Sequence, residues 1–261
     1  MQGLNFNPAL TAVRLLECWR NGELLTSLPP ELKPGTLAQG YDAQDALFKA
    51  AGGRRNGWKL GVGSRAAMRA ANLERPLVGQ LETARCYPSG TTLLLPASTP
   101  VTVECEIAFV MGRDLPPFVG REVQPGDIEA TCVTFEVVRS RFVDRKAVGW
   151  PSFVADNVGF EALIVGHVLC EGANSQALAE LAESAVVLVN GEPMASGLKG
   201  EAATDPLASL TALYAHAAER GTFLRQGDIV STGAMCAPFD LQGTGYHLSV
   251  EYAGKVLEFF I

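Results

Sequence analysis

From Gly57 to its end the chain reads as a succession of short apolar and β-branched runs separated by turn residues, and only one clear helix interrupts them. The runs are Trp58–Val62, Thr91–Leu95, Val101–Met111, Cys132–Phe142, Phe160–Val165, Val186–Val189, Ile229–Thr232, His247–Glu251 and Val256–Ile261. Strands that do not alternate regularly with helices do not build a doubly wound parallel sheet. Asn190-Gly191, set between apolar runs, predicts a hairpin. The interrupting helix starts at a cap, Asp205, with Pro206 in its first position, and runs to about Arg220 before Gly221. Leu207, Leu210, Leu213 and Tyr214 form its apolar stripe.

The first 56 residues have another character. Asn7 can cap a helix that opens with Pro8 and carries Leu10, Val13, Leu16 and Trp19 at helical spacing before Asn21-Gly22 stops it. A loop follows from Leu28 to Gly35. A second helix carries Ala43, Ala46, Leu47 and Ala50 and ends at Gly52-Gly53. The expected organisation is a helical part over 1–56 and a β-rich part over 57–261, joined in one continuous fold.

Composition bounds the function. Hydrophobic residues make up 48% and charged residues 19%, enough apolar material for a sizeable core. The formal net charge of −7 disfavours nucleic acid and anionic membranes as partners, because neither is attracted over long range. No apolar run approaches the roughly 18 residues that span a bilayer, and Met1 to Pro8 lacks a basic segment followed by an apolar one, so no secretory leader is expected. Cys18, Cys86, Cys105, Cys132, Cys170 and Cys236 show no paired spacing and read as small apolar residues of a cytoplasmic protein.

The segment Val101-Thr-Val-Glu104-Cys-Glu106-Ile-Ala-Phe109 concentrates the chemistry. Alternation along a strand puts Val101, Val103, Cys105, Ile107 and Phe109 on one face, and Thr102, Glu104, Glu106 and Ala108 on the other. Two like charges side by side among apolar residues are costly without a positive partner. A second apolar strand carries Glu136, facing with Cys132, Thr134 and Val138. Three carboxylates on neighbouring strands form an all-oxygen set suited to Mg2+, Mn2+ or Ca2+ rather than Zn2+ or copper, although Glu-x-Glu also occurs on solvated strand faces. His167, His216 and His247 have no metal-ligand spacing.

Lys59 lies between Trp58 and Leu60 in the glycine-rich run Gly57–Ser64. Such a lysine either points to water or, if buried, needs a counter-charge and becomes useful for proton transfer. Gly61 and Gly63 allow a ligand to approach the backbone closely. No nucleotide-binding glycine motif occurs there. Asp156-Asn157 reads as a polar turn.

Six motifs follow one another in order: GWKLGVGS (57–64), VECEIAFVMG (103–112), FEVVRSRF (135–142), VADNVGF (154–160), DPLASLTALYAHAAERG (205–221) and QGDIVSTGAM (226–235). In this order the chain resembles the hydratase/decarboxylase branch of the fumarylacetoacetate hydrolase superfamily, over nearly its whole length. The resemblance implies an α+β fold, a mixed β-sandwich or roll with an N-terminal helical part. It implies Mg2+ or Mn2+ on Glu104, Glu106 and Glu136, a catalytic lysine at Lys59 and a catalytic polar turn at Asp156. Gly61, Ser64, Arg139 and Gly233 fall at substrate-binding positions. The implied reaction is metal-dependent hydration of a 2-hydroxydienoate or 2-oxo-enoate in aromatic-compound degradation, by a homo-oligomer or by a hetero-complex with a pathway enzyme. The alternatives within the resemblance are decarboxylation of a vinylogous 2-oxo acid, hydrolysis of an acylpyruvate, and a non-catalytic partner of an active paralogue. Hydrolytic relatives take a base from an N-terminal histidine, and no histidine here precedes His167. The chain departs from the family pattern at Arg139, where relatives carry an acid, at Gly63, at Val158-Gly159, and in the loop Asn72–Leu81. Arg65, Arg69, Arg139 and Arg141 are the cations that could receive a second substrate carboxylate.

Overall fold

The computed structural model describes residues 6–96 and 100–261. Residues 1–5, five of the eight on which the absence of a leader is judged, lie outside the described residues, as do 97–99. In chain order the elements are α1 (Pro8–Asn21), α2 (Leu37–Ala51), β1 (Arg55–Gly61), α3 (Arg65–Ala71), β2 (Leu77–Glu82), β3 (Cys86–Pro88), β4 (Thr91–Thr92), β5 (Val101–Met111) and β6 (Ile128–Val138). They continue with α4 (Trp150–Ala155), β7 (Phe160–Glu171), α5 (Ser175–Ser184), β8 (Val186–Val189), β9 (Glu192–Ser196), α6 (Pro206–Arg220), β10 (Ile229–Ala234), β11 (Phe239–Leu241), β12 (His247–Tyr252) and β13 (Lys255–Phe260).

The strands form two sheets. The larger has the order β2-β1-β10-β5-β6-β7-β3, with β11 added against β5, and the smaller runs β4-β13-β12-β8-β9. Their apolar faces meet in the main core, where Phe135 of β6 lies 5.2 Å from Phe259 of β13, ring centre to ring centre. This is the mixed α+β sandwich expected. Strand β5 sits in the interior of the large sheet, between β10 and β6.

The helical part docks on the outside. Leu15, Trp19, Leu47, Phe142, Val148 and Ala155 share a second apolar cluster, which joins α1 and α2 to α4 and the loop before it. Both helices start and stop where side-chain chemistry dictates: Asn7 and Thr36 accept hydrogen bonds from Ala9 N and Gln39 N, and Gly22 and Gly52 close the last turns in the left-handed region. The buried face of α1 differs from the expected stripe. Leu10 and Val13 are exposed, while Thr11, Ala12, Leu15, Leu16, Cys18 and Trp19 are buried. Two polar anchors set this rotation: Thr11 Oγ1 donates to Leu32 O, and Trp19 Nε1 donates to Glu161.

Two strands are displaced from expectation. The run Cys132–Phe142 is strand only from Ile128 to Val138, because Arg139–Phe142 turns away to meet the 156–161 segment. Thr91–Leu95 pairs only through Thr91 and Thr92. The hairpin expected at Asn190-Gly191 joins β8 to β9, whereas helices α3, α4 and α5 and strands β2, β3 and β11 have no counterpart in the expectation. Most are three to seven residues long, too short for a periodic signal to accumulate. No helix among the described residues is long and apolar enough to cross a membrane.

Candidate functional site

The antiparallel register of β5 and β6 places Glu104 directly opposite Glu136 and Glu106 opposite Thr134. Strand alternation then turns all three carboxylates to one face. One oxygen from each of Glu104, Glu106 and Glu136 lies within 4.8 Å of the others. Glu106 and Glu136 are fully buried, and Glu104 is half-buried at the rim.

Glu106 is held from β10. Ser231 Oγ donates to its Oε2 at 2.6 Å and the Gly233 backbone N–H donates to the same oxygen at 3.0 Å. Thr134 Oγ1 lies 2.9 Å from Ser231 Oγ and orients it. The β10–β5 register shifts between Ser231 and Ala234, and within that irregularity Gly233 takes φ +109°. A Cβ there would come 3.2 Å from Leu60 O, so glycine both permits the backbone twist and fits the space.

The electrostatic cost of this cluster is visible. Burial pushes the Glu106 carboxyl well above the ordinary carboxylate range, and the charges of Glu136 and Glu104 push it further against the Ser231 hydrogen bond and Lys59. Burial raises Glu136 to about 7, with Lys59 opposing and Glu104 adding to the rise. Glu106 Oε1 and Glu136 Oε2 are buried without a hydrogen-bond partner. Such orphaned acceptors are rare in folded proteins. Three converging carboxylates with two free buried oxygens match the donor set of a hard divalent cation.

Lys59 is the positive partner. Its Nζ lies 2.9 Å from Glu136 Oε1 and donates to Val158 O at 3.1 Å, with the side chain almost wholly enclosed. It stands opposite Gly79 of β2, where any Cβ would come 2.7 Å from Lys59 Cδ. Val158 holds its carbonyl in place from the left-handed region, at φ 53° and ψ 32°, an unfavourable conformation for a β-branched residue. Asn157 clamps that turn: its Oδ1 accepts from Gln80 N at 2.8 Å and its Nδ2 donates to Gln80 O at 2.9 Å.

The remaining expected site residues divide. Gly61 borders Lys59, and a Cβ on it would lie 3.6 Å from Nζ. Ser64 caps α3 by accepting from Ala67 N, and it faces the main cavity. Asp156 does not meet Lys59. It is fully buried against Arg141, accepting from Arg141 N at 3.0 Å, from Ser140 Oγ at 2.8 Å and from the Arg141 guanidinium. Burial raises its carboxyl, with Arg141 opposing. Arg139, expected to face substrate, instead points to the helical part, where its guanidinium meets Glu161 at 2.8 Å. Glu161 offsets the buried charge of Arg139 and also accepts from Trp19 and Arg85.

Two cavities meet at the carboxylates. The smaller, about 100 Å³, is bordered by Lys59, Gly61, Glu104, Arg145 and Val158. The larger, about 570 Å³, shares Val62, Glu104, Lys146 and Trp150 with it. Arg145 and Lys146, on the loop before α4, escaped the sequence reading, since a basic pair in a polar loop looks like any solvated turn. Arg145 is near enough for its charge to favour ionised Glu136.

The sequence and the fold both have relatives among known proteins. The Fumarylacetoacetate (FAA) hydrolase C-terminal family model matches residues 56–255. A 2-keto-4-pentenoate hydratase of Burkholderia vietnamiensis is 28% identical over 257 residues, 95% of each chain. A 4-oxalocrotonate decarboxylase of Pseudomonas putida is 29% identical over 226 residues, 84% of this chain and 83% of that one. The structure of 4-oxalocrotonate decarboxylase from Pseudomonas putida G7, complexed with magnesium and adipate, superposes with a TM-score of 0.81 at 24% identity, over 97% of this chain and 96% of the other. The matched residues include Lys59, Glu104, Glu106 and Glu136, and the chain belongs to the fumarylacetoacetate hydrolase family.

Proposed function

We propose that this protein is a divalent-metal-dependent hydratase that adds water to a 2-hydroxydienoate by way of its 2-oxo-enoate tautomer, in the breakdown of aromatic compounds. The observation that carries the reading is the pair of buried, unpartnered oxygens on Glu106 and Glu136 beside the enclosed Lys59 ammonium. Glu104, Glu106 and Glu136 would hold Mg2+ or Mn2+, which supplies Lewis-acid polarisation of the substrate's 2-oxo and carboxylate oxygens.

The chain's own groups do the rest. Lys59 Nζ, set between Glu136 and the Val158 carbonyl, moves the proton. It gives a proton to C5 of the dienol and takes up the 2-hydroxyl proton in exchange; when water adds its oxygen to C4, the same amine gives that proton to C3 and takes the one the water loses. Proton transfer by a positioned group contributes on the order of 10² to 10⁴ in rate. Gly61 leaves room for substrate beside Lys59. Ser64 can donate its own hydroxyl hydrogen to the substrate carboxylate while accepting from Ala67 N. Gly233 fixes Glu106 through its N–H. Asp156 is a positioning residue: by holding Arg141 it anchors the turn that aims the Val158 carbonyl at Lys59. Phe153, Val158 and Trp150 border the smaller cavity and limit water there to what the reaction consumes. The six free cysteines suit a reducing cytoplasm, where the protein would act on a small 2-oxo acid as a homo-oligomer.

The test is turnover by the purified protein with Mg2+ or Mn2+, followed as loss of dienol absorbance and appearance of the 4-hydroxy-2-oxo acid by NMR. Glu106→Gln is expected to weaken Mn2+ binding, read by electron paramagnetic resonance, and to abolish turnover. Unchanged Mn2+ affinity in that variant, or CO2 release from a vinylogous 2-oxo diacid in place of hydration, overturns the reading.

A further inference from the structure

The metal-facing end of the site is small and charged, yet it adjoins a chamber of about 570 Å³, within the range that holds ligands much larger than a five-carbon acid. The walls beyond Glu104 are apolar: Val62, Ala67, Ala71, Trp150, Leu198 and Pro238. The polar atoms near them are already engaged or neutral. Trp150 Nε1 donates to Ala71 O at 3.0 Å, which leaves its ring to face the cavity. Ser64 Oγ caps α3, and Thr204 offers only a hydroxyl. The cations stand at the junction with the carboxylates, where Lys146 and Arg145 border the smaller cavity. Of the four arginines that could have received a distal carboxylate, Arg65 is exposed and does not line the chamber, and the other three are paired elsewhere. Arg69 pairs with Glu201, Arg139 with Glu161 and Arg141 with Asp156.

We propose that the substrate carries an uncharged alkyl or aryl substituent at the end of the dienoate remote from its carboxylate, and that this tail lies in the apolar chamber between α3 and Trp150. The inference rests on the hydratase reading above and narrows it to a substrate class. A terminal carboxylate would lose its hydration against alanine, leucine, proline and an indole ring, since the one cation lining the chamber, Lys146, stands at the Glu104 end that it shares with the smaller cavity. An alkyl or phenyl group would exchange water for those same walls.

The test is a kcat/KM series on the Mg2+-loaded wild-type protein with three substrate types. They are 2-hydroxypenta-2,4-dienoate, its homologues extended by alkyl or phenyl groups, and 2-hydroxyhepta-2,4-diene-1,7-dioate. Each buried methylene is expected to raise kcat/KM roughly fourfold, and the diacid is expected to fall at least about tenfold below an alkyl homologue of equal length. Ala67→Leu, which fills the chamber from α3, is expected to lower the ratio of long-tailed to unsubstituted kcat/KM by about tenfold. A flat series, a preference for the diacid, or an unchanged ratio in Ala67→Leu overturns the tail assignment while hydration itself stands. Absence of metal-dependent hydration for every member instead removes the hydratase reading beneath it.

Discussion

Lys59 and Glu136 form an ion pair of 2.9 Å inside the protein, with both side chains shut away from solvent. A buried pair of this kind offers little net stability by itself, because desolvation offsets attraction. Its value lies in leaving one carboxylate oxygen committed to the lysine and the other free toward Glu104 and Glu106. The lysine thus offsets part of the charge of three acids without filling the position that their free oxygens surround.

Removing that lysine separates two effects. Lys59→Met is expected to lower kcat by about 10² to 10⁴. In chelator it should also lose about 3–5 kcal/mol of stability, since a buried carboxylate is left uncompensated. Mg2+ should then raise the melting temperature of the variant more than that of the wild type. Paired thermal melts with and without Mg2+ measure this, and equal shifts would contradict the proximity of Lys59 to the metal residues.

The stem of Lys59 lies across Gly79, where an added methyl group meets Lys59 Cδ at 2.7 Å and Asn157 O at 3.1 Å. Gly79→Ala is therefore expected to displace the ammonium from Glu136 and Val158. A misplacement near 1 Å costs on the order of 10²-fold in rate. Mn2+ affinity should change less than the rate, because the atoms nearest the added methyl group belong to Lys59 and Asn157. Kinetics and Mn2+ titration on the same preparation read both quantities.

Asp156 is expected to matter for architecture before chemistry. Asp156→Ala leaves the Arg141 guanidinium buried and unpaired, at a cost of about 3–5 kcal/mol by chemical denaturation. At low temperature, where the variant is still folded, it should keep its Mn2+ affinity. If Asp156→Ala matched wild-type stability and lost only turnover, the side chain would be acting directly on the reaction.

His216 predicts an acid-sensitive fold. Its ring packs 4.5 Å from Tyr41, and burial lowers its pKa to about 4, helped by Arg75 and Arg220 and opposed by Glu219. Above the ordinary value of 6.5 the ring is neutral whether folded or unfolded. Below it the unfolded chain takes up a proton that the folded protein refuses until about pH 4. Stability should therefore fall by about 3 kcal/mol between pH 6.5 and 4 from this group alone. His216→Gln should flatten that limb of the stability–pH curve, measured by urea denaturation.

The pairing of Glu104 with Glu106 was legible because strand alternation is a strict period of two; that Glu136 joins them depends on the β5–β6 register, which sets it opposite Glu104. Helices α1 and α6 were legible through Asn7 or Asp205 at one end and glycine at the other, and α2 through its apolar spacing and Gly52 at its close. What escaped depends on long-range placement. Neither Asp156 nor Arg139 announces its partner locally, since Arg141 is 15 residues from the first and Glu161 is 22 from the second. The counter-charge of Lys59 was open for the same reason, since Glu136 lies far along the chain. Arg145 and Lys146 reach the cavity only because the loop after β6 folds back beneath Trp150.

Strand β5, flanked on both edges by β10 and β6, carries two of the three acids. Backbone amides in such a position exchange with solvent deuterium only when the whole domain opens. The ion's cradle is therefore as durable as the protein itself. Stripping the metal should leave β5 as slow to take up deuterium as the core, so that the emptied enzyme waits in shape and regains its ion without refolding.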